Sequence, residues 1–160
     1  NGQPARLSYG GHALMENRSG LCVGLLTTAA TPAEPQAARQ LLTRGRRRKI
    51  HPKTLGADKG YHVKDFVQHL REHKIKPHIA RIDGRKTPGL DGRTTRTAGY
   101  KVSQRKRKRI EEIFGWLKTV GGMRKTRFIG QTRTQIAAYL SAAAYNLLRI
   151  AKLQSAGSAA

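Results

Sequence analysis

Residues 104–118 combine a basic run with a short apolar period, and this stretch limits the chain's folding choices more than any other. At about 100° per residue, Ile110, Ile113, Phe114 and Leu117 fall on one apolar face of a helix. Arg107, Glu111 and Lys118 line one edge of that face, and Glu112 points away from the core. One long helix is expected, anchored by four apolar side chains and carrying Arg, Glu and Lys where core meets solvent. Its plain reading is a surface helix with an Arg107–Glu111 pair at (i, i+4), stabilising by roughly 0.2–0.5 kcal/mol. Composition argues for more. Only nine acidic residues stand against 32 basic ones, yet two adjacent glutamates interrupt a basic run. Divalent cations would give them a task, since Mg²⁺ is held by one or two carboxylates together with substrate phosphates.

A length of 160 residues fits one domain with a real core, assigned to residues 1–154 with a disordered tail at 155–160. The net charge of +23 and pI near 11.4 imply a polyanionic partner, with nucleic acid first. A membrane-surface protein is less suited, because the charge is spread along the chain rather than set opposite bulky apolar residues. Cys22 stands alone, which excludes an internal disulfide and a Cys-based zinc site. The first residues do not form a signal peptide, and residues 136–148 are too short and too polar to span a bilayer. A reducing cytoplasm is compatible with this composition. The chain opens without Met and reads as a fragment.

Residues 7–15 and 21–28 read as two strands of a hairpin joined by Glu16 to Gly20. Residues 33–44 follow as a short helix with Ala37, Ala38, Leu41 and Leu42 inward, then an exposed basic loop with Arg46, Arg47 and Arg48 suited to phosphate contact. Thr54 to Ala57 reads as a buried strand ending at Asp58. Val63, Phe66, Val67 and Leu70 mark a helix, and residues 76–82 a second strand. This β-α-β unit predicts parallel pairing and places Asp58 at a strand's carboxyl end, where open α/β sheets put their chemistry. Residues 83–99 read as a mobile, DNA-contacting loop with Arg93 and Arg96, and Asp91 as a turn residue. Residues 132–153 form an Ala-rich helix with Ile136, Leu140, Ala143, Ala144, Leu147 and Ile150 on one side. His69 and His73 have zinc-site spacing but no evident third ligand, so solvated histidines are the simpler reading. Trp116 either packs on another element or touches DNA.

The spacing of Arg107, Glu111 and Lys118 resembles the Arg-Glu-Lys signature around the catalytic Glu of bacterial insertion-sequence transposases with an Asp-Asp-Glu (DDE) site. Residues 56–61, 91–96, Gly99-Tyr100, 110–118 and 144–147 are similar, in the same order, to stretches of the IS-five type. The resemblance implies an α/β ribonuclease-H-like fold, a mixed sheet with flanking helices. It further implies that Asp58 and Glu111 are catalytic metal ligands for two Mg²⁺ or Mn²⁺ ions, which cleave and join DNA phosphodiesters by in-line attack. Arg107 and Lys118 would hold DNA phosphate, with Arg105 and Arg109 adding to the basic surface. DNA at transposon ends and target is the implied partner, and a homodimer the implied assembly of the complete protein.

Two departures matter. Gln104 stands where the signature has Tyr, which removes a stacking and hydrogen-bonding group. No Asp precedes Asp58, so the strand with the family's first catalytic Asp is absent. The expectation is the C-terminal part of a catalytic domain that binds DNA without cutting it. The competing reading is a basic nucleic-acid-binding protein without chemistry.

Overall fold

The hairpin forms because its turn satisfies its own backbone. In the computed structural model, which describes residues 8–29 and 34–157, β1 (Tyr9–Met15) and β2 (Cys22–Ala29) pair antiparallel from Tyr9↔Ala29 to Met15↔Cys22, with a shift at Leu14/Met15. The Glu16 carboxylate accepts the Arg18 and Ser19 amides at 2.9 and 2.6 Å, and Gly20 takes the φ of +74° that the return requires. Glu16 is therefore a turn residue. Leu7 and Ala33, expected in the first strand and the first helix, lie outside the described residues.

Helix α1 (Glu34–Arg47) buries Ala37, Leu41 and Leu42. It runs past the expected end at residue 44, so Arg46 and Arg47 lie on its last turn rather than in a loop. It ends there because the Gly45 carbonyl accepts the Arg48 and Ile50 amides, the Arg46 carbonyl accepts the Lys49 amide, and the chain leaves through Lys49 at φ +62°.

The β-α-β unit is as expected in kind. β3 (Thr54–Ala57), α2 (Lys64–Glu72) and β4 (Lys76–Ile79) place the strands parallel, from Thr54↔Lys76 to Ala57↔Ile79. Phe66, Val67 and Leu70 are fully buried beneath α2. β4 ends three residues early because the Ile82 amide turns to Nδ1 of His62 at 2.9 Å.

Residues 83–99 are not a free loop. Leu90 is buried in the core of the β-α-β unit, Thr87 and Thr94 are buried, and Arg71 donates to the Gly89 carbonyl and to Thr94 Oγ1 at 2.7 Å. Asp91 caps α3 (Gly92–Thr95), and Thr97 caps α4 (Ala98–Lys106) by accepting the Tyr100 amide. The long helix expected around residue 110 is divided: a 3₁₀ turn, Arg107–Arg109, separates α4 from α5 (Ile110–Thr119). Ile113 and Leu117 are buried, whereas Ile110 and Phe114 are half-buried.

The strands form two separate two-stranded sheets. Each has its own core: Cys22, Leu25, Ile113, Leu117, Ala138 and Tyr145 for the hairpin side, and Leu42, Phe66, Leu70, Ile75 and Ile79 for the other. The outer edges are sealed by side chains. Against β2, Asn146 of α6 (Gln131–Gly157) accepts from the Cys22 amide and donates to its carbonyl, at 2.8 and 2.9 Å. Gln135 accepts the Thr27 amide at 2.7 Å, and Gln131 donates to the Thr27 carbonyl at 2.8 Å. At β4 the Tyr100 hydroxyl donates to the outward-facing Ile79 carbonyl, whereas Gln104 donates to His78, whose carbonyl lies on the β3 side. The inner edges of β1 and β3 form no backbone hydrogen bond to each other among the described residues.

The face of α6 is the reverse of the one expected. Ala138, Ala142 and Tyr145 pack inward, while Leu140 and Leu147 are 68% and 69% exposed. The polar clamps decide this: Gln131, Gln135 and Asn146 must face β2, and the bulky aliphatic row then lies on the far side. The helix also continues through Gly157, into the expected tail; residues 158–160 lie outside the described residues.

Replacing Asn146 by Ala should destabilise the chain by about 1–3 kcal/mol, because two backbone groups of Cys22 lose their partner. Leu140→Ser should change stability by less than about 0.5 kcal/mol, since its side chain lies mostly in solvent. Urea denaturation of the two variants checks the inversion of α6. Equal effects would contradict it.

Candidate active site

Between the two sheets lies a groove of about 970 Å³. Its sides are strand edges, Gly11 to Met15 of β1 and Thr54 to Ala57 of β3. Its roof and floor are helical: Ala38, Leu41 and Leu42 come from α1, and Val102, Arg107, Ile110 and Phe114 from the α4–α5 segment. Gly56 lets α4 come close, since a Cβ there would lie 3.3 Å from the Ser103 carbonyl oxygen.

Asp58 follows the last residue of β3 and lines this groove. One of its oxygens accepts the Gly60 amide at 2.9 Å, which starts a 3₁₀ turn, Lys59–Tyr61. Asp58 thus caps a turn, as one of its two sequence readings has it, and also lines the groove. A second carboxylate, one that no sequence motif marks, joins it. A Cβ on Gly60 would lie 3.1 Å from Asp58 Oδ1 and 3.3 Å from Glu34 Oε2, so this glycine keeps the gap between the two acids open. Glu34 begins α1 and lines the same groove, as does Tyr61. Burial first, then Glu34 and Asp58, push the Tyr61 hydroxyl up to about 12. Sequence spacing could not reveal Glu34, which reaches Asp58 only through the packing of α1 on the turn after β3.

Gln104 does not leave an unfilled role. Its amide nitrogen donates to the His78 carbonyl and, at 3.5 Å, to Ala57, while its oxygen accepts Nε of Arg107 at 2.9 Å. The Arg107 guanidinium is therefore held at the carboxyl ends of both parallel strands. This contact replaces the (i, i+4) pair with Glu111: the one ion pair among the described residues is Arg93–Asp91, at 2.8 Å. Glu111 is exposed on the first turn of α5, without a hydrogen-bond or ion-pair partner among the described residues, and Lys118 is exposed two turns later. Neither Glu111 nor Lys118 lines the groove itself, although Arg107 and Ile110 beside Glu111 do.

The remaining basic residues divide by engagement. Arg46, Arg47, Arg48 and Arg105 are exposed and unpaired among the described residues. Arg109 donates to the Asn17 and Arg18 carbonyls at 3.2 and 3.0 Å and pins the hairpin turn. Arg93 grips Asp91 with two nitrogens, and Arg96 donates to the Gly92 carbonyl. Trp116 packs edge-on against Tyr145 of α6 with ring centroids 5.9 Å apart, as the packing reading expects. His69 and His73 do have a third companion: Glu72 lies with them, all three ligand atoms within 4.8 Å of one another. No helix among the described residues is long and apolar enough to cross a membrane.

Comparison with known proteins matches residues 1–147 to a family described as Transposase DDE domain. A 107-residue stretch is 30% identical to the transposase for insertion sequence element IS1106 of Neisseria meningitidis serogroup B, covering 67% of this chain and 36% of that protein. The chain thus spans about a third of the length of this curated relative. No solved structure matches it.

The Tyr61 arrangement has a pH signature. A hydroxyl whose folded pKa is raised contributes stability that is fully present below the unfolded value of 10 and is lost as pH rises through the folded value of about 12. Over that window the loss of stability should be smaller in Tyr61→Phe, as measured by urea denaturation at successive pH values. Glu34→Gln should bring the Tyr61 titration down in an ultraviolet pH titration; an unchanged midpoint would show that Glu34 does not face it.

Proposed function

The chain belongs to the transposase DDE-domain family, and from that premise we propose that it is the C-terminal part of an IS-five-like catalytic domain. In this reading it engages DNA but lacks one strand of a ribonuclease-H-like sheet. The supporting observation is the groove: it has strand edges on both sides, helices above and below, and a carboxylate at its mouth. A central strand seated there would join the two half-sheets into one mixed sheet. No acidic residue precedes the hairpin, so nothing in this chain N-terminal to β1 could bring a carboxylate beside Asp58.

The donors present suit the metal the family uses. Asp58, with Glu34 beside it, offers carboxylate oxygens, the hard ligands that Mg²⁺ and Mn²⁺ prefer over sulfur or nitrogen. Asp58 and Glu111 are the residues proposed to hold the ions, the latter from the α5 helix that also walls the groove. Such ions would supply Lewis acidity and charge neutralisation for in-line displacement at a phosphodiester.

The chain's own contribution is electrostatic. Gln104 fixes the Arg107 guanidinium beside the strand ends, where its planar fork suits a phosphate, and Lys118 adds a point charge farther along α5. Arg46, Arg47 and Arg48 extend the cationic surface from the end of α1. DNA is the proposed partner, and pairing of two ends by a homodimer the proposed assembly of the whole protein.

Duplex binding measured by fluorescence anisotropy across a salt series tests the assignment. Replacing Arg46, Arg47 and Arg48 by Gln should flatten the dependence of log K on log salt by about 0.9 for each phosphate that is no longer neutralised. Asp58→Asn in chelator should leave affinity unchanged or raised, because it removes negative charge near DNA; a collapse of binding would contradict the metal-ligand role. The unaltered chain should leave a supercoiled plasmid intact in Mg²⁺, and robust nicking would overturn the missing-strand reading.

A further inference from the structure

At the end of α2, the last turn carries His69 and Glu72, and His73 caps the helix. Positions i, i+3 and i+4 share one helix face. Their ligand atoms lie within 4.8 Å of one another, and the two rings lie 4.2 Å apart between centroids at a tilt of 38°. We propose that these three side chains bind a zinc-class divalent ion, separate from the Asp58 groove.

The local chemistry prepares them for it. His73 Nδ1 lies 2.8 Å from the His69 carbonyl oxygen, which can only accept, so Nδ1 carries the proton and Nε2 keeps its lone pair outward. Glu72 Oε1 accepts from Gln68 at 2.9 Å, which orients the carboxylate and leaves its second oxygen available. The backbone beneath is rigid, because Phe66, Val67 and Leu70 on the other face are fully buried. Zn–N bonds of about 2.0–2.1 Å set tetrahedral ligand atoms roughly 3.3 Å apart. Closing from within 4.8 Å therefore takes side-chain rotation of the exposed Glu72, while the His73 ring keeps its bond to the His69 carbonyl.

Ligand type selects the ion. Two imidazoles and one carboxylate suit Zn²⁺, and after it Ni²⁺ or Cu²⁺, rather than Mg²⁺, and leave a coordination position open to water. Arg39 and Arg46 of α1 act on His69 from the side, and Glu72 opposes them. Those two cations reduce affinity for a bare ion, which makes Arg46 a useful second probe.

The test is titration of the full chain with Zn²⁺, followed by amide NMR. Shifts should centre on residues 69–73, be lost in His69→Ala and in His73→Ala, weaken in Glu72→Gln, tighten in Arg46→Gln, and persist in Asp58→Asn and His51→Ala. His73 is exposed, so its variant should retain the dispersed spectrum of the parent. Zn²⁺ shifts that survive His73→Ala, or that centre on His51, His12 or Asp58, would overturn the proposal, as would no shift at all.

Discussion

Backbone groups at a strand edge must find partners, and in this chain the outer edges find them while the inner ones face a groove. Amide side chains of α6 seal β2, and the Tyr100 hydroxyl engages the outward carbonyl of Ile79 in β4. With both outer edges engaged, the remaining room for pairing lies between β1 and β3. The helices follow from this arrangement: α1 covers one face of the gap, and the α4–α5 segment covers the other.

The same geometry gathers the charges. The parallel strands end together, so Asp58, the Gln104–Arg107 contact and the turn bearing Tyr61 share one end of the β-α-β unit. Glu34 reaches that end because the first turn of α1 passes over it. In a chain of net charge +23, these two carboxylates share the groove with Arg18, Lys53, Lys106 and Arg107.

Period and turn chemistry made much of this legible. The hairpin, the β-α-β unit and the position of Asp58 follow from alternating apolar residues and Gly-rich breaks, which act locally. What escaped the sequence depends on tertiary packing. The row Ile136, Leu140, Leu147 and Ile150 has the period of a buried face, yet backbone groups of β2 demand amides, and the row turns outward. The glycines and prolines of residues 83–99 suggest a loop, but Leu90 and Arg71 anchor it. Arg107 looked like a partner for Glu111 until strand ends offered Gln104 a carbonyl and Gln104 in turn held the guanidinium. Glu34 and Glu72 acquired their neighbours through folding and helix geometry respectively, and neither stood out as a motif.

The most direct test of the central claim, that Asp58 and Glu111 flank one site at the end of the groove, is paramagnetic broadening of amide NMR signals by Mn²⁺. It is best done in a His73→Ala background, so that α2 cannot compete for the ion. Broadening is expected around residues 56–61 and the first turn of α5 together, with the broadening of both segments reversed by Glu111→Gln. Broadening confined to one of these segments, or centred elsewhere, would contradict it.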